Sequence, residues 1–322
     1  VFSGYGLRVR VQKDAQTVPG LLRILCDDPM LIAGGQTHLT APNGTRIEIA
    51  PLAPPVVMPP VAHEFVMRRM ADQAPWVIGR AGMHYRDLIP SRLGGSIIAS
   101  HIRIPGGGPV PDMVHFHSVG FQLIYCYKGW VDLVYEDQGP PFRLEAGNCV
   151  IQPPEIRHRV LFASEDLEVI EIGVPAEHIT TIDHDMDLPN EHIRPDRLFE
   201  GQRFVHYKAN ETEWRPFRLP GFVARDTMIC ANTGAVAGVQ VVKPGPGSPV
   251  WARHTSDIHF TFVLNGQLTL QSKAQAAQTL VAGDAFVIPP DMACLYSAPS
   301  EDLELLEVSL PGDFETHLED SV

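Results

Sequence analysis

The chain repeats itself, and this internal duplication limits its fold more than any other feature of the sequence. Residues 147–155 (GNCVIQPPE) align with residues 283–291 (GDAFVIPPD) at a separation of 136 positions. Both copies continue into Glu-Asp-Leu-Glu, again 136 positions apart. Farther upstream the separation grows only to 139, and it changes where Gly and Pro predict loops. We therefore predict two related halves, residues 65–175 and 204–318.

Each half consists of short apolar runs that alternate with polar residues and end at glycine or proline. The chain contains 27 Gly and 29 Pro, which interrupt it too often for a helix bundle and are typical of short strands joined by turns. Strands of this length and spacing favour a β-sandwich or a β-barrel in each half. The sequence therefore predicts an all-β protein with two such units in tandem.

Two segments fall outside the repeat. Residues 1–64 match neither copy, and five prolines near the end of this segment predict an extended N-terminal arm over one barrel or over a partner subunit: Pro51, Pro54, Pro55, Pro59 and Pro60. Residues 176–203 are rich in Asp and predict a polar linker between the halves. The arm and the spare barrel offer surface for a homo-oligomer, which we expect.

The composition excludes two classes of partner. The chain has 25 Lys and Arg against 38 Asp and Glu, a net charge of -13, and no basic run, so we expect no binding to nucleic acid. No apolar stretch reaches the roughly 18 residues of a membrane helix, and no apolar signal core is visible near residue 1. The five cysteines are odd in number and never form a CxxC pair, which suits a reduced interior. We expect a cytoplasmic protein that binds a small molecule.

Three histidines and a glutamine in the first half predict a metal site. His115 and His117 occupy positions i and i+2 of a strand, so both imidazoles lie on one face. Gln122 follows five residues later, and His158 lies in a later strand of the same half. Three imidazoles and one amide oxygen can converge on a divalent transition metal inside a barrel, and Fe(II), Zn, Ni and Mn all suit imidazole.

These residues resemble the two motifs of the cupin superfamily. The first reads His115-x-His117-x4-Gln122-x6-Gly129, and the second reads Gly147-x5-Pro153-x4-His158. Gln122 stands where the family usually has Glu, and Glu155 stands where the second motif commonly has Gly. The resemblance implies a jelly-roll barrel that binds a metal, and the duplication then implies a bicupin.

The second half retains only part of the ligand set. The repeat places Ala252 at the position of His115, His254 at that of His117, His259 at that of Gln122 and Cys294 at that of His158. Because one of the four positions has lost any coordinating group, we expect His254, His259 and Cys294 to be a vestigial site. One metal, in the first barrel, is the prediction.

Three function classes fit this ligand set. Four neutral ligands leave the metal its full double-positive charge, which suits capture of a small anionic aromatic or keto acid. Duplicated cupins of this kind are similar to ring-cleaving gentisate and salicylate dioxygenases, which implies an Fe(II)-type oxidoreductase. The His-His-Gln-His set is also similar to small cupins that isomerise unsaturated uronates, which implies a redox-neutral isomerase, lyase or hydrolase. A non-catalytic small-molecule-binding protein is the third class.

Three further side chains are candidates for contact with the substrate. Arg103 and His101 share one face of the strand before the metal-site histidines, where Arg103 could pair with a carboxylate. Gln152 precedes Pro153 and could donate a hydrogen bond to the substrate.

Overall fold

The computed structural model describes residues 2–4, 7–12, 20–26, 28–42, 44–51, 56–72, 75–79, 82–273 and 275–319. Regular structure in these residues is almost entirely β-strand, with one short α-helix, α1 (Ile229–Asn232), and isolated 3-10 turns. The all-β prediction is confirmed. The chain divides into two compact units, Val1–Val57 and Met58–Val322.

The first unit is a five-stranded sheet in the order β1-β2-β3-β5-β4. Its strands are β1 (Phe2–Gly4), β2 (Leu7–Gln12), β3 (Leu21–Cys26), β4 (His38–Thr40) and β5 (Arg46–Pro51). The predicted extended arm is therefore wrong for this part of the chain, because apolar and polar residues alternate along β5 and support pairing. Residues 56–65 have no regular structure, and Pro54 and Pro55 lie outside the described residues.

The first barrel of the second unit contains two sheets. Its large sheet has the order β21-β15-β12-β17-β9-β8-β7, and its small sheet has the order β14-β13-β16-β11-β18, with β10 beside β16. The large sheet consists of β7 (Val77–Ile78), β8 (His84–Asp87), β9 (Ile98–Ile104), β12 (Phe121–Lys128), β15 (Cys149–Ile151), β17 (Leu167–Val174) and β21 (His206–Tyr207). The small sheet consists of β10 (Gly108–Pro109), β11 (His115–Ser118), β13 (Trp130–Tyr135), β14 (Phe142–Glu145), β16 (His158–Ala163) and β18 (Ile179–Ile182).

The second barrel repeats this plan. Its large sheet has the order β22-β23-β24-β31-β26-β29-β6, and its small sheet has the order β28-β27-β30-β25-β32. The large sheet consists of β6 (Val66–Arg68), β22 (Arg215–Pro216), β23 (Phe222–Asp226), β24 (Gly238–Pro244), β26 (Ile258–Asn265), β29 (Ala285–Val287) and β31 (Glu304–Leu310). The small sheet consists of β25 (Trp251–His254), β27 (Gln267–Ser272), β28 (Gln278–Val281), β30 (Cys294–Ser297) and β32 (Thr316–Glu319).

The predicted duplication extends to the register of the central strand pairs. In the first barrel Ile124 of β12 lies opposite Glu171 of β17, and in the second Thr261 of β26 lies opposite Glu307 of β31. Each pair of strands shifts register near its end, between Cys126 and Lys128 and at the matching place in the copy. The two halves therefore share strand register as well as sequence.

The two barrels exchange edge strands. β6 lies in the predicted first half but pairs with β29 of the second barrel. β21 lies in the predicted second half but pairs with β15 of the first barrel. The predicted boundary at residue 65 must therefore be corrected, because Val66–Arg68 completes the second barrel. Residues 176–203 are more than a linker, since β18 pairs with β11 along its whole length and β19 (Leu198–Phe199) pairs with β20 (Gln202–Arg203).

The interface between the barrels is a shared apolar core. Leu123 and Ile172 of the first barrel and Phe260 and Leu306 of the second belong to one buried cluster. The outer face of the first barrel's large sheet therefore packs against the second barrel. The inner face of the same sheet lines the interior of the first barrel, where Cys126 belongs to a separate buried apolar cluster.

Candidate metal centre

The three predicted histidines of the first barrel come together. His115 and His117 lie on β11, and His158 of β16 lies directly opposite His115 in the antiparallel register. The ring centroids are 4.2 Å apart for His115 and His158 and 5.2 Å apart for each of the other two pairs. One ligand atom from each ring lies within 4.8 Å of the others. This is the only group of three potential His, Cys, Asp or Glu ligands in the described ranges.

Backbone and hydroxyl groups fix the orientation of each imidazole. Nδ1 of His115 lies 2.8 Å from the carbonyl oxygen of Met113, and Nδ1 of His158 lies 2.9 Å from that of Ile156. A carbonyl oxygen only accepts, so in both rings Nδ1 carries the proton and Nε2 carries the lone pair. His117 Nδ1 is held by the Thr180 hydroxyl at 2.9 Å. Metal-binding histidines show this kind of support from a second layer of residues.

Gln122 is buried beside a carboxylate that the sequence analysis did not select. Its amide Nε2 donates to Oε1 of Glu171 at 2.7 Å. A carboxylate only accepts, so this bond assigns the nitrogen to Glu171 and leaves Oε1 as the other amide atom. Oε1 is buried with no hydrogen-bond partner in the described part of the chain. A buried acceptor without a donor is costly and suits a cation, so the residues present fit a metal.

The three histidines line a cavity of about 300 Å³ inside the first barrel. Most of its other lining residues are apolar: Met83, Tyr85, Ile98, Ile102, Ile104, Ile124, Val131, Leu133, Tyr135, Val160, Leu167 and Val169. The polar lining residues besides the triad are Ser100, Asp112, Gln152, Glu171, His178 and Thr180. Small-molecule sites commonly have this composition, an apolar wall with few polar groups.

Gln152 lies in this cavity and holds a tyrosine in place. Its Nε2 donates to the hydroxyl of Tyr135 at 2.9 Å. The Tyr135 ring stacks on His158, with centroids 5.6 Å apart, and burial raises the pKa of its hydroxyl. Tyr135 is therefore a neutral group that can donate a hydrogen bond inside the cavity.

His101 and Arg103 do not line the cavity, and the prediction that they contact substrate is wrong. On β9 the even-numbered residues Ile98, Ser100, Ile102 and Ile104 line it, so His101 and Arg103 lie on the opposite face. Arg103 pairs with Asp166 at the surface (2.6 Å). His101 is buried between the barrels, where its Nε2 lies 2.7 Å from Glu168 and its ring contacts Phe262.

In the second barrel, an arginine side chain lies beside His259, which the repeat places at the position of Gln122. Nη2 of Arg218 lies 2.8 Å from His259 Nε2 and donates to Glu307 at 2.9 Å. Burial alone would raise the pKa of Glu307, but Arg218 and His259 outweigh it and lower that pKa to about 2. Glu307 is therefore ionised and balances the guanidinium.

The residues of the predicted second site, His254, His259 and Cys294, line a space of about 20 Å³ beside Arg218. The rings of His254 and His259 stack with centroids 4.3 Å apart. Burial, with repulsion from His259 and Arg218, lowers the pKa of His254 to about 3, so its ring is neutral. The space holds at most one water molecule.

Several cavity residues escaped the sequence analysis. Glu171 could have been found, because the repeat places it 136 positions before Glu307, so both copies carry the same carboxylate. Tyr135, His178 and Thr180 gave no such signal. His178 and Thr180 lie in the segment predicted to be a linker, and the His178 ring lies 5.4 Å from that of His117.

Comparison with known proteins identifies the fold. Residues 238–309, in the second barrel, match the family model described as Cupin domain. Salicylate 1,2-dioxygenase from Pseudaminobacter salicylatoxidans is similar with a TM-score of 0.60 and 14% sequence identity, over 82% of this chain and 91% of that chain. A mutant of oxalate decarboxylase from Bacillus subtilis is similar with a TM-score of 0.54 and 13% identity, over 82% and 80%. No curated protein sequence matches the chain.

The chain therefore has the two-barrel cupin fold, that of a bicupin. The family model matches the second barrel, although the histidine triad lies in the first. A variant of the salicylate dioxygenase in complex with gentisate is similar at a TM-score of 0.59 and 16% identity, over 82% of this chain and 88% of that chain. No helix in the described residues has the length and apolar character needed to cross a membrane.

Proposed function

We propose that the chain is a metal-dependent oxidoreductase of the dioxygenase type that acts on a small aromatic or keto compound. His115, His117 and His158 would hold one divalent metal through Nε2, with Gln122 Oε1 as a fourth ligand. The observation that carries the proposal is the set of three oriented imidazoles in the wall of a mostly apolar cavity. The similarity of the fold to salicylate 1,2-dioxygenase supports it.

The bound metal, Fe(II) in this proposal and Zn, Ni or Mn in the alternatives, would bind substrate oxygens and, as iron, activate O2. The side chains of the cavity wall would exclude water and orient the substrate. The apolar wall excludes water from the reacting atoms, which strengthens every electrostatic interaction inside. Gln152 fixes the Tyr135 hydroxyl, so the cavity presents an oriented donor to a substrate oxygen.

A redox-neutral isomerase, lyase or hydrolase is the second candidate, and one contact favours it. Glu171 lines the cavity and accepts a hydrogen bond from Gln122, so a carboxylate that can receive a substrate proton stands beside the metal ligands. The fold similarity to a protein named as a decarboxylase also supports this candidate. In either candidate the homo-oligomer stays a prediction from the sequence.

Oxygen consumption separates the two candidates. The full chain is loaded with Fe(II) without oxygen, mixed with hydroxylated aromatic and keto compounds, and followed by oxygen uptake and product analysis. We expect uptake that requires both iron and substrate, and the His158→Ala variant, which lacks one proposed ligand, should show none. Turnover by the zinc, nickel or manganese protein without oxygen uptake would instead support the redox-neutral candidate.

A further inference from the structure

Among the described residues, the wall of the first-barrel cavity contains no Lys or Arg side chain. Among the described residues that line it, the groups that can carry a full negative charge are Asp112 and Glu171, and none is Lys or Arg. Asp112 is buried, and its Oδ2 accepts from the backbone nitrogen of Val160 at 3.0 Å. Besides the proposed metal, a substrate carboxylate would therefore find no permanent cation among these residues, and His178 is the one ionisable base outside the triad.

The cations on the large-sheet strands around the cavity have partners away from it. Arg103 of β9 pairs with Asp166 at the surface, and Lys128 of β12 pairs with Glu168 at 3.2 Å. Arg86 of β8 is directed between the barrels, where it donates to the carbonyl oxygen of Gly283. Side chains alternate between the two faces of a strand, so each of these groups lies on the face away from the cavity. Only a shift of the strand register would bring one of them to the cavity wall.

Much of the remaining wall is aliphatic. β9 contributes Ile98, Ile102 and Ile104. The neighbouring strand β17 contributes Leu167 and Val169 on the same face of the sheet. Burying an ionised carboxylate against such a surface is unfavourable unless it is paired and hydrogen-bonded. An apolar ring or chain gains free energy from the same burial.

We propose that this cavity takes an uncharged substrate, a small molecule with two adjacent oxygen atoms on an apolar ring or chain. The adjacent oxygens bind the metal, and the apolar body packs on the isoleucine face of β9. The inference rests on the metal site of the proposed function, and it replaces the anionic substrate that the sequence analysis expected from the neutral ligand set and from Arg103.

A matched pair of probes tests the charge of the substrate. 4-Methylcatechol and 3,4-dihydroxybenzoate share the same two adjacent hydroxyls and differ by a methyl group against a carboxylate. Titration calorimetry without oxygen measures both with the zinc-loaded full chain and with the metal-free chain. We expect 4-methylcatechol to bind the zinc protein at least about tenfold more tightly, with the same order of preference in the metal-free protein. Equal or tighter binding of the carboxylate would overturn the proposal.

A cation added to the wall should reverse this preference. Ile104 lies half-buried at the end of β9, where Ile104→Arg can place a guanidinium at the cavity while its stem stays partly solvated. We expect Ile104→Arg to tighten binding of 3,4-dihydroxybenzoate about tenfold or more and Ile104→Met, which changes shape without charge, to leave the preference as it is. Identical behaviour of the two variants would count against the proposal.

The same measurements keep the two proposals apart. A preference for the uncharged probe together with no oxygen uptake would remove the dioxygenase and leave the uncharged substrate in place. Oxygen uptake that is fastest with carboxylate substrates, together with tighter binding of the carboxylate probe, would remove the uncharged substrate and leave the dioxygenase.

Discussion

Gln122, the proposed fourth metal ligand, is buried beside Glu171. Its amide can serve two neighbours at once, because Nε2 donates to Glu171 while Oε1 faces no other donor among the described residues. A glutamate at this position would bring two carboxylates to hydrogen-bond distance, and like charges that close resist common ionisation.

We expect Gln122→Glu to keep its metal but to lose most of its turnover. The added charge would lower the Lewis acidity of the metal, and the metal-free variant should be less stable to urea by about 1–3 kcal/mol because the hydrogen bond to Glu171 is lost. The double variant Gln122→Glu with Glu171→Gln restores an amide and carboxylate pair and should recover the stability. Unchanged turnover in the single variant would show that the neutral ligand is unimportant.

Arg218 lies against His259 and Glu307 in the second barrel, and it should matter for stability. Arg218→Met would leave the buried carboxylate of Glu307 without its cation, which should cost about 3 kcal/mol in urea unfolding at neutral pH. Adding Glu307→Gln removes the stranded charge, so we expect the double variant to recover most of the loss. A single variant as stable as the native chain would mean that the pair has no structural role.

At the scale of single strands, β18 supports the metal centre from a segment that the sequence assigned to a linker. Thr180 of β18 holds Nδ1 of His117 across the strand pair. We expect Thr180→Val to weaken metal binding about tenfold, because His117 loses the group that fixes its ring. Competition with a chromophoric chelator measures this change, and Thr180→Ser, which keeps the hydroxyl, should bind metal like the native chain.

β21 gives the fold a dependence on pH. His206 stacks on Phe142 with ring centroids 4.2 Å apart, and burial, then repulsion from Lys208, lowers its pKa from 6.5 to about 4. The unfolded chain binds this proton more readily, so the free energy of unfolding should fall as the pH drops from about 6.5 to 4. His206→Phe should reduce that slope in urea titrations across this range. An identical slope in the variant would assign the pH dependence to other groups.

The strands also show what could be predicted from the sequence and what could not. Alternation on β11 correctly placed His115 and His117 together, because side chains at positions i and i+2 of a strand lie on the same face. The same rule placed His101 and Arg103 together on β9, but it could not say which face meets the cavity. Both faces of β9 are largely buried, one in the barrel and one against the second barrel, so polarity gave no guide. The sheet of the first unit was missed because the prolines after it dominated the interpretation.

At the scale of the whole molecule, the exchanged strands join the barrels into one folding unit. β6 covers the edge of β29, and Met70, just after β6, donates its backbone nitrogen to Asp284 at 2.8 Å. The duplication in the sequence predicted two barrels, but it could not reveal this exchange, because β6 and β21 are too short to show a pattern of their own.

We expect residues 58–319 to unfold in a single calorimetric transition and residues 208–319 alone to fail to fold. The shorter chain lacks β6, so an edge of its large sheet and its side of the shared core would be exposed. Circular dichroism and size-exclusion chromatography of both chains measure this difference. Two well-separated transitions in the longer chain would contradict a single cooperative unit.

The cation of the second barrel is the guanidinium of Arg218, a side chain, so this barrel needs no ion from solution. The first barrel would have to take up its proposed metal from solution. Under metal starvation we therefore expect the protein to accumulate as folded molecules without turnover, with the second barrel intact and its side of the shared core in place.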